Sequence, residues 1–293
     1  MANSYLNIVT FLLTTLFYYL TLKPTLPYAL YSNKDEYTRY ISNSYMYLAI
    51  YVLLVILIQF IVNSSIIASN CGGNITENMG AAGVLTFLPW ILIFGVLVLI
   101  LTIYPGFKSA FSDVVGYYYV SSSATKLLTE LLVNKDIEKK ILEDPNMSPE
   151  KKAAIESAAD AIIKICGNTS ILINQIVPSN FDQYWGILTP LMKDKYQVGG
   201  PETDKMKNDL FELVVTRDNV GEAMWYIYTG LLLTSIVQLK ITNRGCTSNP
   251  KTMEANYQKF LEQNKLLKIT KKPHKPLTLY LIKINKTYLN VSL

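Results

Sequence analysis

Residues 84–104 read VLTFLPWILIFGVLVLILTIY, 21 positions without one charged side chain. At a helical rise of ~1.5 Å per residue such a run reaches roughly 30 Å, the thickness of a bilayer's hydrocarbon core. Lipid offers no hydrogen bonds, so a segment this apolar must satisfy its own backbone, as a helix does. Buried helices of soluble proteins are seldom this apolar for this length, and the run predicts a membrane span. Pro89 lies one turn inside its start, where a missing N–H costs little or gives a mild kink. Trp90 and Tyr104 fall near its two ends, where interfacial aromatics sit.

Upstream, residues 45–67 form a second charge-free run, interrupted only by Gln59, Asn63, Ser64 and Ser65. Gln59 is expected to reach water near one end, with a hydrogen bond to a neighbouring helix as the alternative. The intervening residues 68–83, ASNCGGNITENMGAAG, carry the glycines and asparagines of a tight turn. Gly80, Ala81, Ala82 and Gly83 are small enough for two helices to approach closely. The two runs therefore predict a hairpin. Residues 5–22 are a third apolar run, readable as a span or a signal peptide. No Lys or Arg precedes Lys23, and the run ends in Leu-Thr-Leu-Lys-Pro, which favours a retained span. Residues 223–239, AMWYIYTGLLLTSIVQL, predict a fourth, with a buried or interfacial helix as competitor. None of the four runs contains Asp, Glu, Lys, Arg or His. Ion-coupled transporters need such groups inside the bilayer, so transport is disfavoured and a simple pore is not.

The rest of the chain has ordinary polarity. Charged residues make up 17 % of the sequence, below the ~25 % of soluble domains, and the deficit is concentrated in the apolar runs. The net charge of +5 hides a split. Residues 105–222 hold 13 Lys/Arg and 17 Asp/Glu, whereas residues 240–293 hold 11 and 2. After Tyr104 the sequence Pro105-Gly106-Phe107-Lys108 stops a helix, and residues 105–222 are long enough for a small, mostly helical domain. Helices are expected over 112–133, after Ser148-Pro149-Glu150 (an N-cap, a Pro in the first turn and an acid), over 181–196 and over 205–217. Gly167-Asn168 is expected to end the second of these. In the tail, residues 253–267 read as a helix and 277–284 as a strand. Between them Lys268, Lys271, Lys272 and Lys275 surround His274. Such a basic segment sets topology, binds anionic lipid or binds nucleic acid. Topology carries a conflict. Lys23, Lys34 and Arg39 place residues 23–44 in the cytosol, and four spans then put the basic tail on the opposite side.

No constellation for chemistry emerges, so no catalytic, cofactor-binding or metal-binding residue is assigned and an enzyme is not expected. His274 stands alone among cations, and no cysteine pair has zinc spacing. Gly199-Gly200-Pro201 is a turn, not a phosphate loop. The acids Asp136, Glu138, Glu143 and Asp144 lie among lysines as a solvated face. Three cysteines, Cys71, Cys166 and Cys246, form no disulfide framework and fit a reducing compartment. The hairpin topology puts Cys71 and Cys166 on opposite faces, so they should not pair. Glycosylation acceptor patterns occur at Asn63, Asn74, Asn146, Asn168, Asn285 and Asn290, most of them attributable to a chain rich in Asn, Ser and Thr.

Three stretches carry a resemblance: Cys71-Gly72-Gly73 with Asn78-Met79-Gly80-Ala81-Ala82, the run from Tyr104 to Tyr117 (YPGFKSAFSDVVGY), and the run from Leu127 to Lys140 (LLTELLVNKDIEKK). Together they resemble a membrane protein family of the nucleocytoplasmic large DNA viruses, the giant viruses, over about a third of the chain. The resemblance implies a virion membrane or minor capsid protein and carries no catalytic residue. The expected fold class is mostly α: a helical membrane protein with about four spans, a helical soluble domain and a basic C-terminal tail. The expected function is a structural protein of a large DNA virus particle, linking the internal membrane to capsid or core. Its implied location is the virion's internal membrane or the host membrane at the assembly site. Expected partners are membrane lipid and other virion proteins, with anionic lipid or nucleic acid on the basic tail, and a homo-oligomer is allowed. The alternatives are a small pore-former and a cellular membrane adaptor.

Overall fold

Helices follow the apolar runs and then overrun them. The computed structural model describes residues 5–71, 75–132, 168–244, 254 and 257–265. Among these residues all regular structure is helical, and the one β contact is an isolated antiparallel bridge between Leu132 and Met192. The helix expected after Ser148, the tail strand, the lysine cluster around His274 and the acids 136–144 lie outside the described residues. Residues 257–265 are helical, within the helix expected over 253–267.

Helix α1 spans Leu6–Leu22 and α2 spans Tyr28–Ser32. Helix α3, Lys34–Cys71, starts well before residue 45 because the sequence caps it there. The Asn33 side chain accepts from the backbone N–H of Asp35 and Glu36 at 3.1 and 3.4 Å, and those two acids occupy the first turn. Helix α4, Ile75–Pro89, likewise absorbs most of the expected link. Ala82 favours helix and packs fully buried in a cluster with Val62, Ile66, Ile67, Val237 and Ile241. Pro89 is thus a mid-helix residue and not a first-turn one. The chain passes it through a π turn, Trp90–Gly95, before α5, Val96–Ile103. Trp90, expected near an interface, is fully buried against Phe11 and Phe94, with ring centroids 5.5 and 5.3 Å away.

Beyond Tyr104 a 3-10 turn, Pro105–Lys108, breaks the helix. A short turn at Ser109–Phe111 and a π turn at Ser112–Gly116 then lead into α6, Tyr117–Leu131. Helix α7 is Thr169–Gln175, capped by Asn168, which opens this helix. Helices α8, Phe181–Leu188, and α9, Asp194–Gln197, follow, then a glycine turn with positive φ at Gly199 and Gly200. Helix α10, Pro201–Asn243, merges the helix expected over 205–217 with the apolar run 223–239, and position 222 lies inside it. Its 43 residues extend roughly 60 Å.

One stripe of α10 builds both halves of the molecule. Leu210, Phe211 and Val214 join α6, α7 and α8 in a core with Leu131, Leu172, Ile173 and Phe181. Tyr226 and Leu233 join α1, α3 and the α4–α5 rod around Phe11, Tyr51, Trp90 and Phe94. Val237 and Ile241 close the far end beside Cys71. Close approach needs glycine at two crossings. A Cβ on Gly230 would fall 2.0 Å from the Phe11 ring, and one on Gly221 would fall 2.6 to 2.8 Å from Ser112, backbone included.

The bundle's buried polar groups link its elements. Asn7 Nδ2 donates to Asn63 Oδ1 at 2.8 Å and Asn63 Nδ2 to Thr86 Oγ1 at 2.8 Å. Gln59, expected to reach water, is buried instead and donates to the Asn7 carbonyl oxygen at 3.0 Å. Its helix runs on to Cys71, so Gln59 sits more than three turns from the end. The outer face is reversed from that of a soluble bundle: Leu13, Leu16, Leu53, Ile61, Leu88, Leu92, Leu99, Leu232 and Ile236 are all exposed. Three helices, Lys34–Cys71, Asn78–Ile103 and Pro201–Asn243, are long and apolar enough to cross a membrane, and α1 is a shorter apolar helix. Cys71, expected as a reduced thiol, is disulfide-bonded. A disulfide is the bond that so sparse a cysteine set was not expected to form. The other cysteines, Cys166 and Cys246, lie outside the described residues.

Candidate functional site at the junction of bundle and domain

Four charged residues converge where the apolar runs end. Lys23 follows α1 directly, Lys108 follows the α5 exit, and Asp218 and Glu222 stand one turn apart on α10. The i, i+4 spacing puts both carboxylates on one face. Lys108 Nζ reaches Glu222 Oε2 at 2.8 Å and Asp218 Oδ2 at 3.1 Å. Lys23 Nζ pairs with Glu222 Oε1, which also accepts from the Tyr19 hydroxyl at 3.1 Å. The side chains of Lys23 and Glu222 are 10 % and 11 % exposed, so water screens these pairs little.

Burial disfavours each charge alone, and the partners decide the outcome. Glu222, just outside the charge-free run 223–239, is pushed upward by burial. Lys23 and Lys108 overcome that and hold it down at about 2. The Lys108 ammonium also loses water, yet Glu222 and Asp218 raise it above its ordinary value. For Lys23 burial is the larger effect and lowers it, with Glu222 pulling back. The cluster therefore sets two lysines against two acids in one buried network, with Glu222 at its centre.

Beside it lies a cavity of about 520 Å³ between α3 and the α5 exit. Tyr37, Tyr40 and Ser44 of α3 form one wall, Leu48 and Leu101 the end toward the bundle, and Ser179 and Asn219 the domain side. Tyr37 and Tyr40 stack with centroids 6.3 Å apart, and the Tyr40 hydroxyl donates to the Pro24 carbonyl at 3.3 Å. Trp225 Nε1 donates to the Phe107 carbonyl at 2.9 Å, fixing the α5 exit on α10. Nearby, Lys207 bridges Tyr28 and Asp182, at 3.0 Å from the latter, and so ties α2 to α8 and α10.

Among known proteins, no family, no curated protein and no solved structure matches this chain.

The site stands on its own geometry. None of its residues was assigned from the sequence, where Lys23 and Lys108 counted only as topology signal and helix stop. The usable signal was the pair Asp218 and Glu222 at helical spacing directly before an apolar run. Of the glycosylation positions, Asn63 is buried in the bundle and Asn168 caps α7. Asn74, Asn146, Asn285 and Asn290 lie outside the described residues. Among the described residues no group of three or more His, Cys, Asp or Glu side chains could hold a metal ion. Each carboxylate of the cluster is matched to an ammonium, and all four side chains line the cavity beside them.

Proposed function

We propose that this chain is a structural membrane protein in which residues 5–22, 45–67, 84–104 and 223–239 span a bilayer and hold a helical domain against one face. One observation carries the reading. The single helix Pro201–Asn243 contributes to the apolar bundle and to the domain core, so force on the domain passes into the bundle without a hinge. The salt-bridged junction locks the other helices to the same rod. The resemblance supplies the setting: the particle of a large DNA virus, with the protein joining the internal membrane to capsid or core. A pore-former would need a path along the bundle, and Phe11, Tyr51, Trp90, Phe94 and Tyr226 fill its centre. Alkaline carbonate extraction and cross-linking of purified particles test the proposal. The protein should stay in the membrane pellet and cross-link through its domain to a capsid or core protein. Release by carbonate would refute the spans. Absence from particles would refute the virion role and favour a cellular adaptor, and single-channel currents from liposomes would restore the pore.

A further inference from the structure

The cavity at the junction has unused hydrogen-bonding capacity of both signs. Of three N–H groups each, Lys23 gives one to Glu222, and Lys108 gives one to Glu222 and one to Asp218. That leaves one on Lys108 and two on Lys23 without a hydrogen-bond acceptor among the described residues, the Lys23 ammonium also lying 4.9 Å from the centre of the Tyr19 ring. Asp218 Oδ1 likewise accepts from no described residue, since Lys108 takes Oδ2. Lys108 and Asp218 side chains are only 14 % and 16 % exposed, so bulk water serves these groups poorly. Formal charge is balanced. An anion alone would add an uncompensated charge to this buried setting, which is costly. A ligand carrying a phosphate and an ammonium together would satisfy donors and acceptor without changing the balance.

We propose that the cavity holds the headgroup of a zwitterionic phospholipid. Its phosphate takes the free N–H groups of Lys23 and Lys108, and its ammonium lies between Asp218 and the rings of Tyr37 and Tyr40. The acyl chains leave past Leu48 and the exposed Tyr45, both of which line the cavity on α3. The volume of about 520 Å³ lies within the ~300–1,000 Å³ typical of small-ligand sites. This assignment rests on the reading of the chain as membrane-spanning.

The test is native mass spectrometry of protein taken from nanodiscs of equimolar phosphatidylethanolamine, phosphatidylcholine and phosphatidylglycerol. Wild type should retain one ethanolamine lipid per chain, ahead of choline lipid, whose trimethylammonium has no N–H for Asp218. Ser44→Trp, which narrows the cavity at its α3 wall without touching the ion pairs, should cut retention about tenfold with the thermal melt unchanged. Asp218→Asn, which leaves the site one positive charge in excess, should shift retention toward phosphatidylglycerol. Equal retention of all three lipids, or no response to Ser44→Trp, would overturn the proposal. Displacement by soluble glycerophosphoethanolamine or inorganic phosphate at equal concentration would also overturn it, by making the ligand a soluble phosphate compound. A carbonate-resistant protein that retains no lipid sinks this inference alone, whereas carbonate release sinks the membrane reading beneath it.

Discussion

Gly230 faces Phe11 where α1 crosses α10, and no larger residue fits that contact. Gly230→Ala should destabilise the protein by about 1–3 kcal/mol, the usual cost of overpacking. Phe11→Leu in the same chain should recover part of the loss, and thermal melts in detergent will read both. Glu222 makes a different prediction. Its acidity, about 2, lies below its ordinary value of 4.5, so folding gains from its ionisation. That gain is fully present above about pH 4.5 and disappears as pH falls toward 2, on the order of 3 kcal/mol in all. Glu222→Gln should remove this acid-range dependence and cost about 3–5 kcal/mol at neutral pH, because it strands the buried Lys23 ammonium and leaves Lys108 with Asp218 alone. Melting temperature against pH for both proteins checks the pair of statements. Sequence alone could place Glu222 beside Asp218 on a helix face. It could not supply Lys23 and Lys108, because those partners lie 199 and 114 positions away along the chain and meet Glu222 only through the packing of α1 and α5 on α10.

At the scale of elements, the bundle combines a greasy exterior with a polar seam. Asn7, Asn63 and Thr86 form one hydrogen-bonded row across α1, α3 and α4, and Gln59 adds a second bond from α3 to α1. Lipid provides little hydrophobic force between helices, so such bonds and small residues such as Gly230 carry the specificity of association. A double-mutant cycle on Asn7→Ala and Asn63→Ala should give a coupling of about 0.6–1.7 kcal/mol, measured by unfolding in mixed micelles. Zero coupling would mean the row is not formed. The apolar runs 45–67 and 84–104 were legible because length and absence of charge are local properties. Helix ends were harder. The cap Asn33 with Asp35 and Glu36 is a local signal too, whereas the boundary at residue 45 marks only where polarity changes and not where the helix starts. The start of α4 depended on Ala82 finding Val62 and Ile66 across the hairpin, which no local pattern reports. Trp90 was misplaced for the same reason: with α4 reaching back to Ile75, the middle of the rod lies where the apolar run alone put an end.

The whole molecule is asymmetric along the axis of α10. One end carries the domain with Lys23, Lys34, Arg39 and Lys108, a collar of basic residues that the positive-inside rule would place on the cytosolic side. The other end carries the start of α1, Ile241 and the disulfide-bonded Cys71. The sequence presented a conflict here, since the basic tail follows α10 out of the end opposite the collar. The disulfide bears on it directly. A disulfide there predicts that the Cys71 end faces a compartment without a thiol-reducing pool, on the side opposite the collar. In sealed vesicles of known orientation, a membrane-impermeant maleimide should label Cys71 only after reduction, and only from the lumenal side. Trypsin added to the cytosolic face should cut after the exposed Lys195 in the domain. Labelling of Cys71 from the face that trypsin reaches at Lys195 would break the four-span arrangement. Labelling without reduction would remove the disulfide from the argument and leave the collar of lysines as the remaining guide to orientation.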